Sequence, residues 1–271
     1  MFSAGTFVPC VPLPSVLEAN LTRVRGRIER ACAAAGRSTA DVELLAVTKS
    51  VSPELALDLA RLGVRDCGEN RVDQLERKAA WIGEHAPAAA PDARPRWHMI
   101  GHLQGNKVRR AVRIAETIHS VDSLKLLGAL ELAAAQEDRH LGVYLELKLV
   151  DVEQRTGLQP DQLGATLDAL IQGAPRLARV ELFGLMTLAA PSATAREGDV
   201  ESQAGARATF RRLRELADGM SAVHRACFRG GRMRLSMGMS SDLEAAIHEG
   251  AHVVRIGSAL FEGLGLGGAR P

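Results

Sequence analysis

The chain is 271 residues long, which accommodates two small domains or one large α/β domain. Its residues are 46% hydrophobic but only 3% aromatic, so the core has to be built from Ala, Leu and Val, and an all-β sandwich is disfavoured. Thirty-four Lys and Arg against 32 Asp and Glu leave a formal charge of +2, which supplies neither a basic stripe for nucleic acid nor the charge imbalance of a disordered chain. Partners therefore have to be read from sites. The four cysteines, Cys10, Cys32, Cys67 and Cys227, form no Cys-x-x-Cys pair, so no zinc site or disulfide framework is signalled and a reducing cytoplasm is expected.

In chain order, residues 1–14 are apolar but broken by Pro9, Pro12 and Pro14, and the first basic residue is Arg23, unlike a signal peptide. They are expected to form a flexible extension. No segment offers the roughly 18 uninterrupted apolar residues of a membrane span, so no membrane partner is expected. From Ser15 to Ala35 the spacing of Val16, Leu17, Leu21, Val24 and Ile28 predicts a helix. Val42 to Val47 then reads as a strand buried on both faces, followed by a helix opening at Ser52-Pro53.

That alternation recurs. Strands are predicted at 64–67, 97–100, 117–121, 143–150, 179–185, 233–236 and 253–256. The helices between and after them fall at about 71–81, 104–113, 123–136, 160–172, 203–218, 241–249 and 258–261. Eight strand–helix units over residues 15–263 are the arithmetic of a single (β/α)8 TIM barrel with an extra N-terminal helix, leaving 264–271 as a flexible tail. An open doubly wound sheet usually has fewer strands and a Gly-rich first turn, whereas the first turn here is Thr48-Lys49-Ser50. Residues 84–95 and 221–231 read as loops inserted on the N-terminal face.

Lys49 closes a buried strand, where an ammonium is costly unless it is used or snorkels into solvent. At the C-terminal end of a barrel strand it is a candidate Schiff-base amine. Ser241 and Glu244 have capping-box spacing after the seventh strand, and Gly238 lets backbone approach an anion. The next loop, Arg255-Ile256-Gly257-Ser258, repeats a glycine, a hydroxyl and a predicted helix start, so the two form a candidate phosphate cradle. His98 with His102, and His248 with His252, stand four apart, but neither pair falls on one uninterrupted predicted helix, and no metal site is assigned. The glycines of 263–268 follow no strand and precede no helix, and are read as tail.

Ala46-Val47-Thr48-Lys49, Gly68-Glu69-Asn70, the run from Trp97 to Lys107, Gly184-Leu185-Met186-Thr187 and the stretch from Leu235 to Gly257 together resemble the pyridoxal phosphate homeostasis proteins. These are single-domain relatives of the alanine racemase barrel, and the resemblance runs from about Leu21 to Gly263. It implies that Lys49 holds pyridoxal 5'-phosphate (PLP) as an internal aldimine, and that Ser240 with the backbone around Gly257 and Ser258 holds the phosphate. It further implies that Arg255 lies near the cofactor ring, that Asn70 and Met237 line the pocket, and that Cys67, His98 and Asn106 form its wall. The chain departs from the family at Cys67, where Phe is usual, at Lys148, where Asn is common, and at Arg155, where Lys is common.

The resemblance implies a cytoplasmic carrier that holds PLP and supplies or buffers it for apo-PLP enzymes, as a monomer or weak dimer without robust turnover. A PLP-dependent amino-acid racemase is the alternative. It needs a base on each face of the substrate carbon, and Tyr144, the only tyrosine, lies near the start of the predicted fifth strand, at the wrong end of the barrel. Cys67 is the remaining candidate for a second base. A phosphate-sugar barrel enzyme would leave Lys49 without an aldehyde.

Overall fold

Eight aliphatic strands, each flanked by sequence that prefers helix, can bury both faces by closing on themselves inside a ring of helices. That is the arrangement seen in the computed structural model, which describes residues 13–86, 94–153, 155–190 and 200–264. Most of the expected N-terminal extension and C-terminal tail lies outside the described residues.

Helix α1 (Leu13–Ala34) precedes β1 (Glu43–Val47), α2 (Pro53–Arg61), β2 (Asp66–Glu69), α3 (Val72–His85), β3 (Arg96–Met99) and α4 (Val108–Val112). There follow β4 (Thr117–Val121), α5 (Leu124–Gln136), β5 (Leu141–Glu146), α6 (Gln162–Ile171), β6 (Val180–Met186), α7 (Val200–Asp218) and α8 (Ala222–Arg225). The last elements are β7 (Arg234–Ser236), α9 (Leu243–His248) and β8 (Val253–Ile256). The strands pair in parallel in chain order, and β8 returns to β1 with Glu43 opposite Val253 and Ala46 opposite Ile256, closing the barrel.

Alternation along each strand sorts the side chains. Those facing outward join the main core with the helices, including Ala46, Cys67, Trp97, Ile118 and Val254. A second, smaller cluster of Leu45, Tyr144, Met186 and Val253 fills the barrel interior. Helix α1 contributes Leu17, Leu21, Val24, Ile28 and Ala31 to the main core, where each buried Leu is worth about 1.5–3 kcal/mol. It packs against α9. Ser123 caps α5 by accepting from the Leu126 N–H at 3.2 Å.

Five expectations need correction. Strand β5 spans Leu141–Glu146 rather than 143–150, because Leu141 and Gly142 pair with β6 while Leu147 bridges to Leu158 instead. Tyr144 is consequently in mid-strand and inside the barrel, not at its wrong end. The predicted helix at 104–113 divides into a 3-10 turn (Gly105–Lys107) and the short α4. Ser258 to Phe261 forms hydrogen-bonded turns rather than a helix, and Leu264, expected in the tail, is buried in the main core. The 221–231 segment does lie on the N-terminal face, but it is anchored there by buried Phe228, which bridges to Leu182.

Candidate functional site

The ends of β1, β2, β7 and β8 place Lys49, Asn70, Ser240, Arg255, Gly257 and Ser258, but not every residue singled out in the sequence, toward the C-terminal mouth. Lys49 stands two positions beyond β1 and is exposed, so the desolvation expected of a buried lysine does not arise. The backbone beneath it is rigidly held. Lys78, buried on α3, donates to the Thr48 carbonyl at 2.5 Å and to Glu69 Oε1 at 2.6 Å, and the Thr48 hydroxyl donates to the same carboxylate oxygen at 2.6 Å. The ends of β1 and β2 are thereby stapled to α3 immediately next to Lys49 and Asn70. Asn70 is exposed, and its carbonyl lies against Gly101, where a Cβ would come within 2.3 Å of it.

The loop after β7 is shaped by close approach. Gly238 has φ +96°, and a Cβ there would sit 2.5 Å from that of Ala246, so only glycine fits. The predicted capping box does not form. Asp242 precedes the helix and its carboxylate accepts from the Met239 N–H at 2.5 Å, while Glu244 is held by Arg27 of α1 at 2.7 and 2.8 Å. The Ser240 hydroxyl accepts from the N–H groups of Gly257 and Ala259, both at 3.3 Å, tying the loops after β7 and β8 together. Gly257 backs onto Val47 at the end of β1, and Ser258 is exposed.

Arg255 faces the barrel axis and is 4% exposed. It donates to the Ser236 hydroxyl at 2.8 Å and to the Thr187 carbonyl at 2.9 Å. Burial pulls its guanidinium down to about 10, opposed by the carboxylates of Asp242 and Glu146. Glu146, at the C-terminal end of β5, is pushed up to about 7 by burial and by Asp122, with Arg255 and Arg155 acting in the opposite sense. Arg155 also clamps the loop after β6, donating to the carbonyls of Leu188 and Ala189 at 2.8 and 2.6 Å. Lys148 approaches Asp151 at 3.9 Å.

Three expected pocket residues are elsewhere. Met237 is fully buried in the main core, since alternation past Ser236 turns it outward. Cys67 also faces the helices: its neighbour Gly68 is the inward residue, touching Leu45 and Ile100 where a Cβ would be. Burial, reinforced by Asp66 and Glu69, pushes the Cys67 thiol far above its usual range, so it is neither a wall nor a reactive group. His98 points into the barrel near the opposite mouth, where it meets Asp66 at 2.9 Å and lines a cavity of about 690 Å³ with Glu43, Arg96 and Arg234. Asn106 is exposed in the turn after β3. His102 approaches Asp122 instead of sharing a ligand with His98, and Gly250 separates His248 from His252.

Sequence reasoning missed the residues that act through others. Lys78, Glu69 and Thr48 support Lys49, and His119 and Ser236 continue inward from His98 to Arg255. The His119 ring is 3.0 Å from His98 and 2.9 Å from Ser236, and stacks on Tyr144 with centroids 4.5 Å apart. Polar residues inside otherwise aliphatic strands were the available signal.

Two stability measurements follow from this geometry. Lys78→Met strands the Glu69 carboxylate in the core and is expected to cost about 3–5 kcal/mol in urea unfolding. The double variant Lys78→Met/Glu69→Leu recovers most of it, and a single-variant loss below about 1 kcal/mol would contradict the staple. For Glu146, the folded carboxyl keeps its proton from its ordinary 4.5 up to about 7 while the unfolded one has lost it, so its contribution to stability falls as pH rises through that window. Glu146→Gln removes the fall and gains roughly 1–3 kcal/mol on the wild type between pH 4.5 and 8. Parallel stability–pH curves for the two apo-proteins would refute it.

Comparison with known proteins places this geometry in context. The profile of the alanine racemase N-terminal domain matches residues 19–264. The pyridoxal phosphate homeostasis protein of Pseudomonas aeruginosa is 36% identical over 247 residues, covering 91% of this chain and 95% of that one. That of Aquifex aeolicus is 33% identical, covering 89% and 95%. The structure of PipY from Synechococcus elongatus with PLP bound superposes with a TM-score of 0.67 at 33% identity, covering 87% of this chain and 99% of that one. Alanine racemase of Clostridium difficile shares the fold, with a TM-score of 0.63 at 16% identity; the match covers 91% of this chain and 56% of the racemase chain. On the strength of these matches along nearly its whole length, the chain belongs to the pyridoxal phosphate homeostasis protein family, built on the alanine racemase N-terminal barrel.

Proposed function

We propose that this protein binds PLP at the C-terminal mouth and serves in intracellular PLP homeostasis, holding the cofactor and supplying or buffering it for apo-PLP enzymes. The observation that carries the reading is the convergence on one mouth of a lysine amine, a serine hydroxyl joined to the backbone of the next loop, and a buried guanidinium. PLP brings an aldehyde, a phosphate and a pyridine nitrogen, and the donor set suits each part. Lys49 offers an exposed amine for the aldehyde. The Ser240 hydroxyl, which accepts from the Gly257 N–H and keeps its own proton to donate, and the backbone around Gly257 and Ser258 suit the phosphate. Arg255 can only donate hydrogen bonds, so beside a pyridine nitrogen it disfavours protonation there and weakens the ring as an electron sink.

Holding is favoured over turnover because neither sequence-identified second base is disposed to act. Tyr144 is buried on the barrel axis against His119, and burial pushes its phenol well above the usual range. Cys67 faces the helices. PLP-bound PipY, a relative of similar length, supports the cofactor assignment. The proposed setting is the cytoplasm, with apo-PLP enzymes as recipients and a monomer or weak dimer as the working form.

Purified protein incubated with PLP should acquire a visible absorption band at about 410–430 nm that Lys49→Ala loses. Protein that stays colourless would overturn the reading. With the loaded protein, the circular dichroism of L- and D-alanine should hold constant for hours. Steady loss of optical activity would favour the racemase alternative, and Glu146→Gln would then test whether that carboxyl is its base.

A further inference from the structure

We infer that Asp66, His98, His119 and Ser236 form a hydrogen-bonded relay of fixed polarity along the barrel axis, and that they are positioning residues for Arg255. The links are Asp66 Oδ1 to His98 Nε2 at 2.9 Å, His98 Nδ1 to His119 Nε2 at 3.0 Å, and His119 Nδ1 to Ser236 Oγ at 2.9 Å. The last link, Ser236 Oγ to Arg255 Nη1, is 2.8 Å. Asp66 begins β2 at the N-terminal mouth, while Arg255 approaches the C-terminal mouth on β8. The relay therefore crosses the barrel through β3, β4 and β7.

Its polarity follows from what each end can do. A guanidinium only donates, so Ser236 accepts from Arg255 and has one proton of its own to place. A carboxylate only accepts, so His98 presents Nε2–H to Asp66; a neutral His98 then accepts at Nδ1. His119 must accordingly donate from Nε2 and accept at Nδ1, which receives the Ser236 hydroxyl proton. Every donor thus points toward Asp66 and both imidazoles are neutral.

The opposite tautomer of His119 would make Ser236 accept twice and leave its hydroxyl proton without an acceptor among its described contacts. Such a buried donor is costly. Surroundings support the neutral form: His119 is fully buried, and burial, with the positive charges of Arg255 and Arg234 nearby, pulls its ring well below its ordinary value. The Tyr144 ring stacked at an interplanar angle of 18° fixes its plane. Arg255 is left with one orientation, its second amino group held by the Thr187 carbonyl.

The relay stands on the protein's own contacts; its consequence for bound cofactor rests on the proposed function. Nitrogen-15 NMR of histidine-labelled protein at neutral pH reads the tautomers directly, with or without PLP. The expected result is protonated Nε2 and unprotonated Nδ1 on both His98 and His119. Asp66→Ala and Ser236→Ala each remove one fixed end, and the double variant, which removes both, should drive His119 toward a mixture of tautomers. Ser236→Ala alone should shift the visible band of PLP-loaded protein, and Ser236→Thr, which keeps a hydroxyl, should restore it. A wild-type His119 protonated at Nδ1, a charged His119, or a double variant that keeps the wild-type His119 tautomer would overturn the relay. Because the nitrogen shifts need no cofactor, failure of the relay and failure of PLP binding are separately visible, and the wild-type spectrum decides even where a variant does not fold.

Discussion

A guanidinium held almost without water on the axis of a closed barrel is the constraint on which the rest of this structure turns. An isolated buried cation is prohibitive, so Arg255 has to be matched by donors' complements on every side. The Ser236 hydroxyl and the Thr187 carbonyl take its hydrogen bonds, while Asp242 supplies opposing charge, joined by Glu146 once that carboxyl ionises above about pH 7. The aliphatic barrel interior is consequently interrupted by a polar file, and the small apolar cluster of Leu45, Tyr144, Met186 and Val253 packs beside it.

This divides the molecule into two mouths of different character. At the C-terminal mouth, amine, hydroxyl and backbone donors are presented on loops whose bases are fixed by buried contacts, notably the Lys78–Glu69–Thr48 staple beneath Lys49. Preorganised donors of this sort favour holding a ligand, because little of the binding free energy is consumed in ordering the site. At the N-terminal mouth the cavity is lined by charges that largely satisfy one another, as in the pairs Arg96–Asp66 and Arg234–Glu43. Its size exceeds its chemical specificity.

What the sequence made legible was whatever depends on local pattern. Strands 117–121 and 253–256 coincide with their predicted bounds because each is short and dominated by β-branched residues, Thr117, Ile118 and Val121 in one and Val253, Val254 and Ile256 in the other. Lys49 and the loops that carry Ser240 and Gly257 stood out because they follow strands one, seven and eight in an eight-unit count, and the role of Ser240 came from the family resemblance. The capping box at Ser241 and Glu244 failed because Arg27, 217 residues away from Glu244, captures that carboxylate. Met237 and Cys67 were misplaced because the face a side chain takes depends on register, and one position of alternation decides it. The relay joins residues separated by 32, 21, 117 and 19 positions, and no local pattern encodes such a chain.

The central claim is that PLP is taken at the C-terminal mouth and not in the cavity at the opposite mouth. A crystal structure of the protein grown with PLP tests it most directly. Density continuous with the Lys49 amine, with the phosphate against the Ser240 hydroxyl and the backbone of Gly257 and Ser258 and the ring toward Arg255, is the predicted result. Ordered PLP among His98, Arg96 and Arg234, with the Lys49 amine free, would contradict it.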